Sequence, residues 1–495
     1  MKTSRDGVWP AAKFCAVLAL SCCVFSAAPR HASAQSAQDL PQAPTPNPTV
    51  LRAPGGIVVE QAAAGPLALS LDDAIERGMR LNLQQLLYQQ NERAVHGEIL
   101  TVGNNLLPTL TAQLQTGTQE INLAALGFKP STFAAIAPTL GLGNLSLAEI
   151  VKVSTTSAQL NVSQQLFNLP AYYFYRAAQK AELVAELSTK LGRGDIALRV
   201  GTTYLQALAD SAQITNAQAL ERADEVVLRQ AKDSHDAGVG THLDVLRAQV
   251  QLQTQEQVRI SAENTFAKDK IALIRLIGLS ADQEITLTDT VPFNELTTLT
   301  EPEALKLAFV RRKDYLQLEA QLEVSERSAK AVKYQRLPTL ALGGYYGVLG
   351  ETHGLYHGEY VAEGKLQFPI FQEASLRGEG EVANAQITRN RAQIANLRVT
   401  MDQQIRSSML DVQSSYELVK VARSNVELST QELKDATDRF IAGISDNLPV
   451  VQAQATLAAS QTNQIQTEFQ YNQSKLALAR NIGVVETQYK AYLGQ

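Results

Sequence analysis

AGVGTHLDVLRAQ, at residues 237–249, returns in altered form as AGISDNLPVVQAQ at residues 442–454, 205 positions later. A second match, LPTL at residues 107–110 and again at 337–340, is separated by 230 positions. The difference of 25 positions places a longer loop after the first LPTL than after the second. The chain therefore contains two copies of one unit, which predicts a pseudo-symmetric architecture rather than a catalytic domain.

Each repeated turn lies between two long segments that are typical of coiled-coil helices. No proline occurs between Pro170 and Pro292, or between Pro369 and Pro449. Residues 171–237 as one helix would extend about 100 Å, far longer than a compact domain needs. Apolar residues also recur every seven positions, which predicts coiled-coil packing. They are Val184, Leu191, Leu198, Leu205, Ala212, Ala219 and Val226, and then Ile405, Val412, Val419, Val426, Leu433 and Phe440.

Two segments in each half alternate apolar and polar residues with the period of a β-strand. We predict strands at about 107–118 and 154–167, and at about 337–346 and 360–371. The apolar positions are Leu110, Ala112 and Leu114 in the first strand, and Tyr360, Ala362, Leu366 and Phe368 in the last. Such segments of about ten residues are typical of outer-membrane barrels, although a half-buried soluble hairpin would show the same pattern.

Four strands cannot close a barrel, and an open sheet edge in lipid leaves backbone groups unpaired at several kcal/mol each. Strands that span a membrane would therefore have to be pooled by several chains. Two copies would give eight strands and three would give twelve, and geometry alone does not choose between them.

The N-terminal region has the features of a secretory signal peptide, predicted over residues 1–34. Lys2, Arg5 and Lys13 precede an apolar run, and Ala32-Ser33-Ala34 fits a cleavage site. Residues 35–66 are rich in proline and alanine, which indicates an extended linker.

Composition excludes several classes of function. All three cysteines lie within the first 23 residues, so the processed chain has neither disulfides nor cysteine metal sites. A lipid anchor on Cys22 or Cys23 is disfavoured because the preceding residues fit a lipobox poorly. The net charge of −5 argues against nucleic-acid binding, which needs a basic face. No set of residues suggests catalysis, a cofactor or a metal, and we expect a non-enzyme.

The two units are predicted over residues 67–290 and 291–495. Each opens with a capped helix at Ser70 or Thr300, continues into a strand pair, and ends in a helical hairpin. The hairpins are predicted over residues 170–278 and 373–483. The fold class is thus mainly α with a small transmembrane β part.

The ordered set of features resembles the TolC-like outer-membrane efflux proteins. The opening LSLDDAI at residues 69–75, the paired LPTL segments, the two glycine turns and the internal duplication carry this resemblance, over roughly residues 67–488. It implies a homotrimer with a shared twelve-stranded barrel in outer-membrane lipid and a long periplasmic α-helical tunnel. It also implies a passive exit duct of a tripartite efflux or type I secretion system, which works with a periplasmic adapter and an inner-membrane pump.

The two turns would lie at the periplasmic end, where the resemblance places the adapter contact. The predicted contact residues are Gly238, Val239, Leu243, Leu246, Gly443, Leu448, Val450 and Val451.

The resemblance also implies a closed aperture that is ringed by acids and held by polar links. Asp244 matches the acid of the first hairpin, whereas Pro449 and Gln452 stand where the second hairpin would supply the others. Phe440 and Ser445 stand where polar partners are expected. We therefore predict a gate closed by apolar packing around Phe440 and Leu448, with Asp244 and Asp446 supplying charge nearby.

Two other functions fit parts of the pattern. A structural coiled-coil protein of the envelope should show heptad repeats along its whole length. In this chain, the duplicated strand pairs interrupt the heptads. A periplasmic adapter would normally have one helical hairpin rather than two.

Overall fold

Four helices of 35 to 69 residues dominate the computed structural model, which describes residues 56, 65–125, 149–290, 293–296 and 300–494. The predicted signal peptide and nearly all of the predicted linker lie outside the described residues. The helices are α1 (Leu71–Leu81), α2 (Leu83–Asn104), α3 (Leu169–Asp236), α4 (His242–Ile277), α5 (Glu301–Arg311), α6 (Lys313–Tyr334), α7 (Glu373–Ile441), α8 (Leu448–Ile482) and α9 (Val485–Leu493). The strands are β1 (Leu67–Leu69), β2 (Thr109–Asn122), β3 (Ile150–Phe167), β4 (Ile285–Leu287), β5 (Thr339–Glu351) and β6 (Tyr356–Gln367).

The two predicted hairpins are the pairs α3–α4 and α7–α8. Helix α3 begins where the Asn168 side chain accepts a hydrogen bond from the Ala171 amide, with proline in the first turn. The reversals contain Gly238 and Gly443, with φ of 75° and 71°, a left-handed conformation that glycine adopts without strain. No helix in the described part of the chain is both long enough and apolar enough to cross a membrane.

The second heptad seam is buried over its first half, whereas Val426, Leu433 and Phe440 are half-buried. Ile405, Val412 and Val419 are buried on α7. Ser408, Ser415, Ala422 and Ser429 are buried beside them, small enough to let α8 approach.

The first heptad seam holds only for part of α3. Val184 is buried, whereas Val226 is 49% exposed and its neighbour Val227 is buried instead. A straight helix of 3.6 residues per turn drifts by about 20° per heptad, so six heptads displace the buried face by about one residue. The predicted heptad positions from Val184 to Val226 therefore do not form a single buried face on this helix.

The capped opening helices are confirmed, but each is broken into two. The Ser70 side chain accepts from the Asp73 amide, and Thr300 forms a capping box with Glu303. The unpredicted breaks are at Asn82 and Arg312, which are both buried. Asn82 caps α2 and donates to the Leu276 carbonyl, so the first break is set by a tertiary contact.

The four long strands form one antiparallel sheet in the order β2-β3-β5-β6. The predicted alternation is confirmed, because Leu110, Leu114 and Tyr360 share one face while Gln113 and Glu363 share the other. The strands continue four or five residues further toward the loops than predicted. Cross-strand hydroxyl pairs extend them, such as Thr118 with Ser154 at 2.8 Å. Strand β6 ends at Gln367, so the prediction that Phe368 belongs to it was wrong.

A small parallel pair, β1 with β4, ties the start of the first unit to its end. The buried Tyr204 hydroxyl donates 2.9 Å hydrogen bonds to the Leu69 carbonyl and to Asp289 beside this pair. Strands of three residues are too short to show a periodicity, which is why the sequence did not predict them.

Candidate functional site

The two glycine turns, predicted as the periplasmic end, lie against each other in the fold. Asn447 is fully buried, and its Nδ2 atom donates a 2.9 Å hydrogen bond to the backbone carbonyl of Asp244. This bond joins the last turn residue before α8 to the first turn of α4. The hairpins are therefore linked where their helices begin.

Arg247 adds a charged contact between the same turns. Its Nη1 atom lies 3.6 Å from Asp446 Oδ2 and 3.8 Å from Asp244 Oδ1. Asp244 is buried and also accepts a 2.6 Å hydrogen bond from the Thr241 hydroxyl as part of the α4 capping box. The guanidinium thus offsets the charge of both carboxylates that were predicted at the gate.

An apolar cluster lies directly above this polar link and contains residues from all four hairpin helices. We call it the tip cluster; its members are Val227, Ala231, Val245, Ala248 and Val450, with Leu228, Leu433, Ala436 and Phe440 packed against them. Of the residues predicted at the gate, Phe440 lies in this cluster. Leu448 lies outside it and is exposed, as are Pro449 and Gln452.

The predicted adapter-contact residues divide by exposure. Val239 is 84% exposed, and Leu243, Leu246 and Leu448 also present apolar side chains to solvent. Val450 is 1% exposed inside the tip cluster, so its prediction as a contact residue is corrected. Ile444, which was not predicted, is exposed beside Gly443.

Sequence reasoning also missed Arg247 and Asn447. Within the repeat, Arg247 corresponds to Gln452, and Asn447 corresponds to His242. The two copies differ in sequence at these positions, and this difference was the feature that could have identified the two residues. A contact between two copies of a repeat can use different residues from each copy.

Above the tip cluster, the contact between the hairpins mixes polar and apolar residues. A cavity of about 490 Å³ lies there, lined by amide side chains such as Gln213, Asn216 and Gln255 and by apolar side chains such as Leu220 and Val258. Asp224 lies on the same buried face of α3, and burial raises the pKa of its carboxyl to about 6.

Asp224→Asn is expected to raise the thermal stability of the purified protein at pH 8. The pKa of Asp224 is raised above its ordinary 3.8, so the folded state favours the protonated carboxyl, and its ionisation costs stability as pH rises through about 6. The variant removes this cost. Its unfolding midpoint should exceed that of the wild type by about 2 °C or more at pH 8, and the difference should shrink at pH 5.

Asp233→Asn serves as the control, because Asp233 is an exposed carboxylate on the same helix. The interpretation of Asp224 fails if both variants give the same pH profile as the wild type.

Among the described residues, no three histidine, cysteine, aspartate or glutamate side chains lie together in a way that could hold a metal ion.

Comparison with known proteins places these features in a family. The model of the family described as "Outer membrane efflux protein" matches residues 82–279 and 304–484. The pyoverdine export outer membrane protein OpmQ of Pseudomonas putida is 23% identical over 69% of this chain and 74% of its own. The outer membrane protein TolC of Escherichia coli is 20% identical over 71% of this chain and 75% of its own.

Solved structures show the same fold. The outer membrane protein VceC of Vibrio cholerae aligns with a TM-score of 0.69 and 16% identity, over 83% of this chain and 96% of that protein.

Proposed function

The chain belongs to the outer membrane efflux protein family, and from this premise we propose that three copies of it form a passive exit duct across the outer membrane. It is an outer-membrane efflux channel with its helical part in the periplasm. The family match extends over both units, which leaves no reason to retain the structural coiled-coil or adapter alternatives.

The sheet supports the shared barrel because its two outer strands are β2 and β6. All neighbouring strands are antiparallel, so β6 of one copy and β2 of the next would also run antiparallel. Joining copies in this way satisfies the edge groups that lipid cannot hydrogen-bond. Three copies then give twelve strands, the number that the family resemblance implies.

The helices support assembly because α7 leaves an apolar stripe exposed. Val399, Leu410 and Val421 follow one another at intervals of eleven residues, which keeps them on one side of the helix. Helix α4 likewise exposes Val250, Val258, Ile260 and Ile271. Contact between α4 of one copy and α7 of the next would cover both surfaces and close a tunnel.

Aromatic residues mark the expected membrane boundary. Phe371 is 97% exposed, and Phe167, Phe368 and Tyr172 are also exposed where the strands meet the long helices. Exposed aromatic residues at this level fit the girdle of an outer-membrane barrel.

The partners are a periplasmic adapter and an inner-membrane pump, in an efflux or type I secretion system. The exposed apolar residues of the turns, Val239, Leu243, Leu246, Ile444 and Leu448, give an adapter a surface to bury. The chain itself would act as a conduit, so energy and selectivity for substrate would come from the pump.

The closed gate would be held in three ways. Phe440 contributes apolar packing in the tip cluster, Asn447 bonds to the Asp244 carbonyl, and Arg247 lies between Asp244 and Asp446. Opening would separate the second hairpin from the first and break these contacts. Leu448 is exposed and no longer belongs to the proposed packing.

Planar-bilayer recording of the detergent-extracted protein tests this function. We expect discrete current steps of low amplitude, because the gate of the isolated duct is closed. Current steps absent from both the wild type and gate-weakened variants would contradict a duct.

A further inference from the structure

The polar face of the four-stranded sheet carries an unequal charge. On this face, the charged residues of the described strands are Glu351, Glu359 and Glu363 against Lys365. The opposite, apolar face has Glu120 and Lys152 paired across β2 and β3 near the loop end. If the apolar face meets lipid, the surplus of carboxylates lies in the barrel lumen.

Glu359 is held in position across an intervening strand. Gln159, Gly347 and Glu359 lie side by side on β3, β5 and β6, and Gln159 Nε2 donates a 2.8 Å hydrogen bond to Glu359 Oε1. A Cβ atom on Gly347 would lie 2.8 Å from the Gln159 Cγ atom, so a larger residue would obstruct this crossing. Gly347 therefore leaves room for the hydrogen bond that holds the Glu359 carboxylate in place.

Glu363 also lies next to a glycine of β5. It lies opposite Gly343, where an added Cβ atom would come 3.6 Å from the Glu363 carboxylate. Both carboxylates thus lie over glycines of β5, on the same face and four residues apart along β6.

The periplasmic turns carry less net charge than the family resemblance implied. Arg247 lies within 4 Å of both Asp244 and Asp446, and the repeat position that matches Asp244 is Pro449. The polar face of the sheet therefore keeps a surplus of carboxylates, whereas the two aspartates at the turns share one arginine.

We propose that Glu359 and Glu363 make the barrel the cation-selective part of the duct, an inference that rests on the proposed trimer. Threefold symmetry places equivalent atoms of three copies at one height, so each residue contributes a ring of three carboxylates. Rings of carboxylates in a pore with low-dielectric walls attract cations and repel anions. Positively charged substrates would pass this part of the duct most readily.

Reversal potentials in a KCl gradient test this role. The wild-type pore should pass K⁺ in preference to Cl⁻, and the Glu359→Gln/Glu363→Gln variant should lower the K⁺/Cl⁻ permeability ratio severalfold. Lys365→Gln should raise the ratio, since it removes the opposing charge from the same face. Glu120→Gln, on the apolar face, is the matched control and should leave the ratio unchanged.

The outcomes separate the two proposals. A wild-type pore that prefers Cl⁻, or an unchanged ratio in the double variant, overturns the selectivity role and leaves the duct intact. If the double variant does not assemble, an unchanged K⁺/Cl⁻ permeability ratio in the Lys365→Gln variant also overturns the selectivity role. Absence of current from both the wild type and the gate-weakened variants overturns the proposed function itself.

Discussion

Asn447→Ala is expected to raise the open probability of the channel in a planar bilayer. The Asn447 side chain is fully buried and donates to the Asp244 carbonyl, so the variant leaves that carbonyl without its side-chain donor. Loss of a buried hydrogen-bond partner costs about 1–3 kcal/mol. If opening breaks this bond, the closed-to-open equilibrium should shift by about 5- to 150-fold for each copy.

Arg247→Ala should have a smaller effect, because its contacts with Asp244 and Asp446 are partly exposed and such pairs contribute about 0–1 kcal/mol. Phe440→Ala should also favour opening, since it removes packing from the tip cluster. Asn384→Ala, at an exposed position high on α7, is the control and should match the wild type. If the combined Phe440→Ala/Asn447→Ala variant stays closed, the gate does not lie at these turns.

Leu114→Arg is expected to prevent assembly in the outer membrane, whereas Gln113→Arg on the neighbouring residue is not. Leu114 is 79% exposed on the apolar face of β2, and Gln113 points to the other face. Arginine on the lipid side of a barrel costs about 2–4 kcal/mol at mid-membrane depth. Three copies would multiply this cost, while arginine in the lumen remains hydrated.

Outer-membrane fractionation followed by electrophoresis of unheated samples would measure the assembled form of both variants. The account predicts that Leu114→Arg is depleted and that Gln113→Arg is retained at the wild-type level. Equal recovery of the two variants would contradict the assignment of the faces to lipid and lumen.

Strands and hairpins were predictable because their signals are periodic along the chain. Alternation over Leu110, Ala112 and Leu114 identifies a face without knowledge of the partner strand. On α7 the heptad positions from Ile405 to Val419 are buried, whereas on α3 the heptad pattern holds for only part of the helix. The drift between Val184 and Val227 depends on how strongly that helix supercoils, and this is set by its neighbours rather than by its own sequence.

The site was only partly predictable, because its contacts join residues about 200 positions apart. Nothing local identifies Asn447 as the partner of the Asp244 carbonyl, and the prediction of Leu448 in the gate rested on its apolar character alone. The repeat did hold one unused signal. Val450 matches Val245, and both are buried, so the equivalence of the two positions places both residues inside the hairpin contact rather than on the exposed surface of the turns.

The central claim, that three chains share one barrel, is tested most directly by the mass of the detergent-extracted protein after correction for bound detergent. One chain weighs 53.8 kDa before removal of the predicted signal peptide. We predict a particle of three processed chains, recovered from the outer-membrane fraction. A monomer or a dimer in that fraction would contradict the shared twelve-stranded barrel.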